Sequence, residues 1–128
     1  EPTFSEYMGS MFELVCQNRL PSLVPKTYQG IGYWWHKHHE LDVVGLASDG
    51  TLVAGECKYT TREMTEGDLA DLERSARHVQ WTPPNGGAPA YQYCCFCRSG
   101  FSEGLQQTAD ERDDVSLFTP TDIVGVDQ

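Results

Sequence analysis

The sequence has few lysines, no long apolar run and no phosphate-binding loop of the GxxxxGK[ST] type. Its only lysines are Lys26, Lys37 and Lys58. A membrane-spanning helix needs about 18 or more consecutive apolar residues, so the sequence predicts no membrane contact. Because the phosphate-binding loop is missing, we do not expect these residues to bind ATP.

The charge balance is strongly acidic. Nineteen Asp and Glu residues stand against nine Lys and Arg residues, which gives a formal net charge of -10. This acidic, lysine-poor composition favours a halophile, specifically a haloarchaeon, as the source. Such a charge ordinarily argues against nucleic-acid partners, because contacts from Lys and Arg to phosphates supply most non-specific affinity. In molar salt, however, the Debye length is only about 3 Å, so net charge does not exclude nucleic acid.

The five cysteines do not follow the spacing of a disulfide framework. Their number is odd, which favours a reducing cytoplasm. Cys95 and Cys97 together with His36, His38 and His39 form one candidate zinc site. We instead expect the cysteines to be small buried apolar side chains and the histidines to lie in a solvated turn.

Length and patterning indicate one α/β domain. A chain of 128 residues is long enough for one core and too short for two, so residues 1–128 are interpreted as a single domain. Because the chain begins at Glu1 and not at Met, we expect it to be a fragment of a longer protein. Apolar periodicity, capping residues and turn signals predict three helices and five strands. The helices are predicted over 4–19, 65–79 and 102–112, and the strands over 28–37, 40–47, 51–59, 89–98 and 115–118.

Two acidic residues and a lysine stand at matching ends of the second and third predicted strands. Thirteen residues separate Asp42 from Glu56, and Lys58 follows two positions later. Period-two geometry places Glu56 and Lys58 on one face. The turn signal Ser48-Asp49-Gly50 makes the two strands a hairpin, so Asp42 should face Glu56. Both acids share faces with apolar residues, which favours function, although a structural Glu56–Lys58 ion pair is the alternative.

This cluster suits the hydrolysis of phosphodiester bonds. Carboxylate oxygens hold Mg²⁺, the metal polarises phosphate and lowers the pKa of bound water, and a lysine orients or deprotonates that water. Mg²⁺ keeps several waters, so two or three carboxylates and the carbonyl of Cys57 would suffice as ligands, with Mn²⁺ as a substitute. Glu40 is expected to be solvated. The aromatic residues Tyr33, Trp34 and Trp35 are expected to pack on the sheet rather than on bases.

The spacing of Asp42 and Glu56-x-Lys58 resembles the PD-(D/E)XK nuclease superfamily, and the predicted order αβββαβ resembles its restriction-endonuclease-like core. This resemblance implies a mixed sheet flanked by helices, catalytic residues Asp42, Glu56 and Lys58, and a further metal ligand on the first helix, where Glu13 occupies the matching place. Leu41 stands where the superfamily's motif has proline.

A second resemblance is to the C-terminal domain of archaeal AAA-type (P-loop) ATPases. The segments that carry it are GSMFELVCQNRL at 9–20, YWWHKHHELDVVGLASDGTLVAGECKY at 33–59 and CRSGF at 97–101. It implies an upstream ATPase domain in the same chain. We therefore expect a Mg²⁺-dependent nuclease-like domain acting on nucleic acid, specifically DNA, with a homo-oligomer as one arrangement for cutting two strands. The alternative is a catalytically inactive accessory or interaction domain of the ATPase.

Overall fold

A computed structural model describes residues 3–125. Their elements follow the order α1, β1, β2, β3, α2, β4, α3, β5 and α4. The helices are α1 (Phe4–Leu23), α2 (Glu66–Ala76), α3 (Glu103–Glu111) and α4 (Pro120–Gly125), and the strands are β1 (Tyr28–His36), β2 (His39–Ala47), β3 (Thr51–Lys58), β4 (Ala90–Cys97) and β5 (Val115–Phe118). Among the described residues, no helix combines the length and apolar character that crossing a bilayer requires.

The five strands form one mixed sheet in the order β1-β2-β3-β4-β5. The first three strands are antiparallel neighbours, whereas β4 and β5 run parallel to β3. Gly50 closes the turn between β2 and β3 at a φ of 94°, a left-handed conformation that glycine adopts without steric cost. The reversal at this turn and the crossover through α2 give the predicted mixed α/β architecture.

Helix α1 begins as predicted and ends later than predicted. The backbone N–H of Glu6 donates to Oγ1 of Thr3 at 3.1 Å, and the N–H of Thr3 donates to Oε1 of Glu6 at 2.9 Å, which completes a capping box. The predicted end at residue 19 is wrong, because the helix continues through Pro21 to Leu23. Leu20 is fully buried against the sheet, and this burial holds the last turn.

Two cores lie on opposite faces of the sheet. On the α1 face, the buried side chains come from α1, three strands and α4: Phe12, Cys16, Leu20, Val43, Val53, Cys94, Phe96 and Ile123. On the α2 face, Leu69, Leu72 and Ala76 pack against a larger set that includes Leu52, Ala54, Cys95 and Cys97. Cys16, Cys94, Cys95 and Cys97 are buried free thiols, which confirms the expectation that these cysteines act as small apolar side chains.

Helix α4 was not predicted, and the sequence carries a signal for it. The predicted elements end at residue 118, but Pro120–Gly125 is a short helix with Ile123 buried. The N–H of Thr119 donates to Oδ2 of Asp122 at 2.8 Å. A threonine before a helix followed by proline at its first position is a recognised helix start.

Candidate active site

The β2–β3 hairpin brings Asp42 and Glu56 to the same end of the sheet. The pairing of the two strands runs from Leu46↔Leu52 to Val43↔Gly55, so Asp42 and Glu56 come directly after the last pair. The backbone N–H of Cys57 donates to Oδ2 of Asp42 at 2.8 Å. The predicted convergence of this end of β2 with the end of β3 is therefore confirmed.

A bulge interrupts the pairing of β2 with β1 next to Asp42. The register between β1 and β2 shifts between the pairs Gly32↔Val44 and Trp34↔Leu41. Leu41 and Val44 both pack in the α2-face core, although strict alternation would place them on opposite faces. The alternation from which Asp42 is expected to share a face with apolar residues is therefore interrupted at this point. A bulge re-aims nearby side chains, and the Asp42 carboxylate is directed at the β3 backbone.

Asp42 is an acid in an unfavourable place for negative charge. Its side chain lies within the protein, and the residue is only 8% exposed. Burial raises its pKa to about 7, against the opposing effect of the Cys57 hydrogen bond. The charges of Glu13, Glu56 and Glu40 contribute to this raised pKa. A cation at this position would relieve the repulsion among these carboxylates.

Helix α1 supplies one neighbour of Asp42 that was predicted and one that was not. Burial and the charge of Glu40 raise the pKa of Glu13, which places this helix residue within electrostatic reach of β2. One turn later, Nε2 of Gln17 donates to the carbonyl oxygen of Asp42 at 2.8 Å. Residues four apart lie on one helix face, so Glu13 and Gln17 face the same strand. Gln17 was missed because an amide gives no charge signal.

Glu40 is exposed, as expected, but it belongs to the surroundings of the site. The hydroxyl of Tyr33 donates to Oε2 of Glu40 at 3.0 Å. Its charge acts on both Glu13 and Asp42.

Glu56 and Lys58 form an ion pair at the end of β3. Nζ of Lys58 lies 2.9 Å from Oε2 of Glu56, and both side chains are about a quarter exposed. Burial raises the pKa of Glu56; Lys58 opposes this, while Asp68 and Asp71 add to it. Burial alone would lower the pKa of Lys58, but its hydrogen bond to Glu56 and the charges of Glu56 and Asp68 raise it. Lys58 is therefore a charged ammonium near neutral pH.

Asp68 is a further acid at the site, and its contacts there were not predicted. Its first role is to cap α2, where the N–H of Thr65 donates to Oδ2 of Asp68 at 2.9 Å. The same carboxylate lies 3.9 Å from Nζ of Lys58 and 3.7 Å from Nη1 of Arg62. Helix α2 thus places a second carboxylate beside Lys58.

The cysteine between the two charged residues points elsewhere. Cys57 is partly buried against the α1-face core, and its thiol hydrogen-bonds with Cys16, which together with burial raises its pKa well above the usual range. A neutral thiol is a poor metal ligand. Of the groups that Cys57 carries, only its backbone carbonyl suits the predicted role of a hard oxygen donor.

The side chains of residues 3–125 include no set of three or more His, Cys, Asp or Glu placed to hold a metal ion. For the zinc alternative, Cys95 and Cys97 are buried in β4, whereas His36 and His38 are exposed next to the β1–β2 turn. For Mg²⁺, the donor chemistry fits, because Glu13, Asp42 and Glu56 supply hard oxygens and the repulsion at Asp42 calls for positive charge. The three carboxylates surround the end of the hairpin without forming a finished ligand cage.

Comparisons with known proteins identify a family and a fold. Residues 1–70 match the model of the family DUF234, described as "Archaea bacterial proteins of unknown function". No curated protein matches the sequence. The crystal structure of a repair endonuclease from Pyrococcus abyssi is similar, with a TM-score of 0.53 and 15% sequence identity. The similarity covers 93% of this chain and 49% of that chain, so this chain spans about half the length of its structural relative. The shared mixed-sheet architecture confirms the predicted fold class.

Proposed function

We propose that this chain, which belongs to the DUF234 family, is a Mg²⁺-dependent nuclease-like domain that hydrolyses phosphodiester bonds of nucleic acid, specifically DNA. One observation carries the proposal. Asp42 is buried and held by the Cys57 N–H at the end of the hairpin where Glu56 and Lys58 also lie. Burying a carboxylate among like charges is costly, and such perturbed groups cluster at functional sites.

Each residue has a distinct role in this proposal. Glu13, Asp42, Glu56 and the carbonyl of Cys57 would hold Mg²⁺, or Mn²⁺ in its place. The bound ion would polarise the phosphate and lower the pKa of a water molecule. Because the pKa of Lys58 is raised, its ammonium would orient that water and stabilise developing negative charge rather than accept a proton.

The experiment is a metal titration combined with a plasmid-nicking assay in high salt. Calorimetry would follow Mg²⁺ or Mn²⁺ binding to the wild-type chain and to Glu56→Gln, with Asp49→Asn as the matched control. Asp49 also pairs with a lysine, at the opposite end of the hairpin. We expect Glu56→Gln to lose metal binding and nicking, and Asp49→Asn to keep both. Nicking that Glu56→Gln retains would refute the assignment.

A second candidate function is that of an accessory or interaction domain without catalysis. It is favoured by the incomplete ligand cage among residues 3–125 and by the engagement of Lys58 with Glu56. The sequence resemblance to the C-terminal domains of archaeal P-loop ATPases supports an upstream ATPase as the partner, and a homo-oligomer stays a prediction. If neither Mg²⁺ nor Mn²⁺ binds and no plasmid is nicked, this second function replaces the first.

A further inference from the structure

A cation that has no role in the proposed function lies at the rim of the carboxylate cluster. Arg62 belongs to the segment between β3 and α2, and its Nη1 atom lies 3.7 Å from Oδ2 of Asp68. The other oxygen of this carboxylate, Oδ1, lies 3.9 Å from Nζ of Lys58. One mostly buried carboxylate therefore has a cation beside each of its two oxygens.

These contacts connect Arg62 with the candidate active site. Lys58 lies 2.9 Å from Oε2 of Glu56, which is one of the proposed metal ligands. Burial and the charge of Arg62 both act to lower the pKa of Lys58, although Glu56 and Asp68 raise it overall. The guanidinium therefore lies within electrostatic reach of the ammonium, on the outer side of the Asp68 carboxylate.

The backbone that carries Arg62 is held in place by neighbouring segments. Sγ of Cys97 donates to the carbonyl oxygen of Arg62 at 3.6 Å, and Oγ1 of Thr60 donates to the same oxygen at 3.3 Å. Two residues later, the N–H of Met64 donates to the carbonyl oxygen of Gly100 at 3.1 Å. The Arg62 side chain is nevertheless 62% exposed. A backbone that is already ordered reduces the entropy cost of binding a ligand at this position.

Arg62 differs from two other arginines in the way its guanidinium is engaged. Arg112 donates to two carboxylates at 2.9–3.3 Å, and Arg74 hydrogen-bonds with Asp71. The 3.7 Å between Arg62 and Asp68 is longer than a hydrogen bond, so this pair occupies none of the N–H donors of the Arg62 guanidinium. A guanidinium presents these donors in a planar fork that matches two oxygens of a phosphate.

We propose that Arg62 binds a phosphate of the nucleic-acid backbone, next to the phosphate that lies at Glu56 and Lys58. The inference rests on the proposed function and adds a substrate-binding residue, with Asp68 as the group that positions it. A contact to a phosphate fixes the strand without reading its sequence. An opposite charge at the rim also offsets the repulsion between phosphates and the carboxylate cluster.

The test measures binding without cleavage. Fluorescence anisotropy would follow a labelled DNA duplex and a single strand of the same sequence, in EDTA and over a series of salt concentrations. The variants are Arg62→Gln, Arg62→Lys and the matched control Arg74→Gln. Arg74 is 61% exposed and, like Arg62, pairs with an aspartate of α2. Circular dichroism would compare the folding of all variants.

We expect Arg62→Gln to weaken binding of both DNA forms roughly 10- to 100-fold at low salt, the range for hydrogen bonds to charged groups. The slope of log affinity against log salt for the duplex should fall by about 1, because one phosphate contact is lost. Arg62→Lys should keep the slope and recover part of the affinity, since it keeps the charge and lacks the fork. Arg74→Gln should bind like the wild type.

Plasmid nicking provides a second readout. A contact to a phosphate that does not react stabilises the bound substrate and the transition state equally. Arg62→Gln should therefore raise KM and leave kcat unchanged. A variant that merely disturbed the fold of the site would lower kcat.

Trp35→Ala tests the other contact that a nucleic acid could make. The expectation that Trp35 packs on the sheet is wrong, because this side chain is 66% exposed, and an exposed indole can stack on an unpaired base. We expect Trp35→Ala to bind both DNA forms like the wild type. Binding that Trp35→Ala loses and Arg62→Gln keeps would overturn the inference.

Wild-type affinity and salt slope in a folded Arg62→Gln, equal losses in Arg62→Gln and Arg74→Gln, or a wild type that binds no DNA at low salt would also overturn it. These outcomes are separable from a failure of the proposed function. Nicking that needs Glu56 and is indifferent to Arg62 would leave the nuclease and remove the phosphate site. Arg62-dependent binding without any nicking would leave the phosphate site and remove the nuclease.

Discussion

The β2–β3 hairpin has a lysine–carboxylate ion pair at each end, and the two pairs differ in their surroundings. At the turn, Nζ of Lys26 lies 2.7 Å from Oδ2 of Asp49, whose side chain is 53% exposed. At the open end, Nζ of Lys58 lies 2.9 Å from Oε2 of Glu56. The distances are nearly equal, yet the pKa values of the two carboxyl groups shift in opposite directions.

The hydrogen bond from Lys26, followed by those from Thr51, lowers the pKa of Asp49 to about 2. Burial and the charges of Asp68 and Asp71 raise the pKa of Glu56 in spite of Lys58. A lysine partner therefore lowers the pKa of the exposed Asp49. At Glu56, the lysine partner does not offset the effects that raise the pKa. The comparison teaches that burial together with surplus negative charge, rather than the presence of an ion pair, distinguishes the open end of the hairpin from its turn.

The largest expected effect is on catalysis, where replacing Lys58 should lower the nicking rate and replacing Lys26 should leave it unchanged. Lys58→Ala should lower plasmid nicking with Mg²⁺ by about 100-fold or more, because one preorganised charge at a reacting centre contributes on that scale. Lys26→Ala should nick at the wild-type rate. The measurement is the initial rate of supercoiled plasmid loss at equal protein concentration. Equal rates for the two variants would remove the distinction between the two ends.

The second prediction concerns the pH dependence of stability. The pKa of Asp42 is raised from 3.8 to about 7 in the folded protein, so its favourable contribution is complete below pH 3.8 and is lost as the pH rises through 7. Asp42→Asn avoids this loss and still accepts the Cys57 N–H. At pH 8 without metal, we expect the variant to be more stable by about 2–4 kcal/mol, and at pH 4 the difference should largely vanish.

Asp49→Asn is the control with the opposite sign. The pKa of Asp49 is lowered to about 2, so its contribution is present above pH 3.8 and is lost as the pH falls through 2. This variant should therefore be less stable than the wild type at pH 8. Urea unfolding at pH 4 and pH 8 measures both differences. A gain for Asp42→Asn that is the same at the two pH values would show that ionisation of Asp42 is not its cause.

Local signals in the sequence were sufficient for the main elements and for the convergence of Asp42 with Glu56. The capping box of Thr3 and Glu6 fixed the start of α1, and the Asp49-Gly50 turn fixed the hairpin register to within a residue. These features depend on neighbours in the sequence. Their physical causes are therefore visible without the fold.

The remaining features of the site depend on packing between distant elements. Asp68 reaches Lys58 only because α2 packs on the end of β3, and Gln17 reaches Asp42 only because α1 crosses β2. The bulge that breaks the alternation at Asp42 is set by pairing with β1. The two-residue alternation of a strand carries no information about contacts between distant elements. These contacts were therefore not predicted from the sequence.

The smallest expected effect is on the stability of the two lysine variants. Removing Lys58 leaves the Glu56 carboxylate half-buried beside Asp68 and Asp71, and an unpaired charge in such a place is destabilising. Because a quarter of each side chain is exposed, we expect Lys58→Ala to cost about 1–2 kcal/mol. Lys26→Ala should lower the free energy of unfolding by no more than about 0.5 kcal/mol, as for exposed pairs.

Urea unfolding at pH 7 and low salt measures the two losses of stability. Added salt should narrow the difference between them, because it screens the carboxylates that have lost their lysine partner. Equal costs would mean that Asp68 and Asp71 do not act on Glu56, and the surplus negative charge at the open end would then have to come from Asp42 and Glu13 alone.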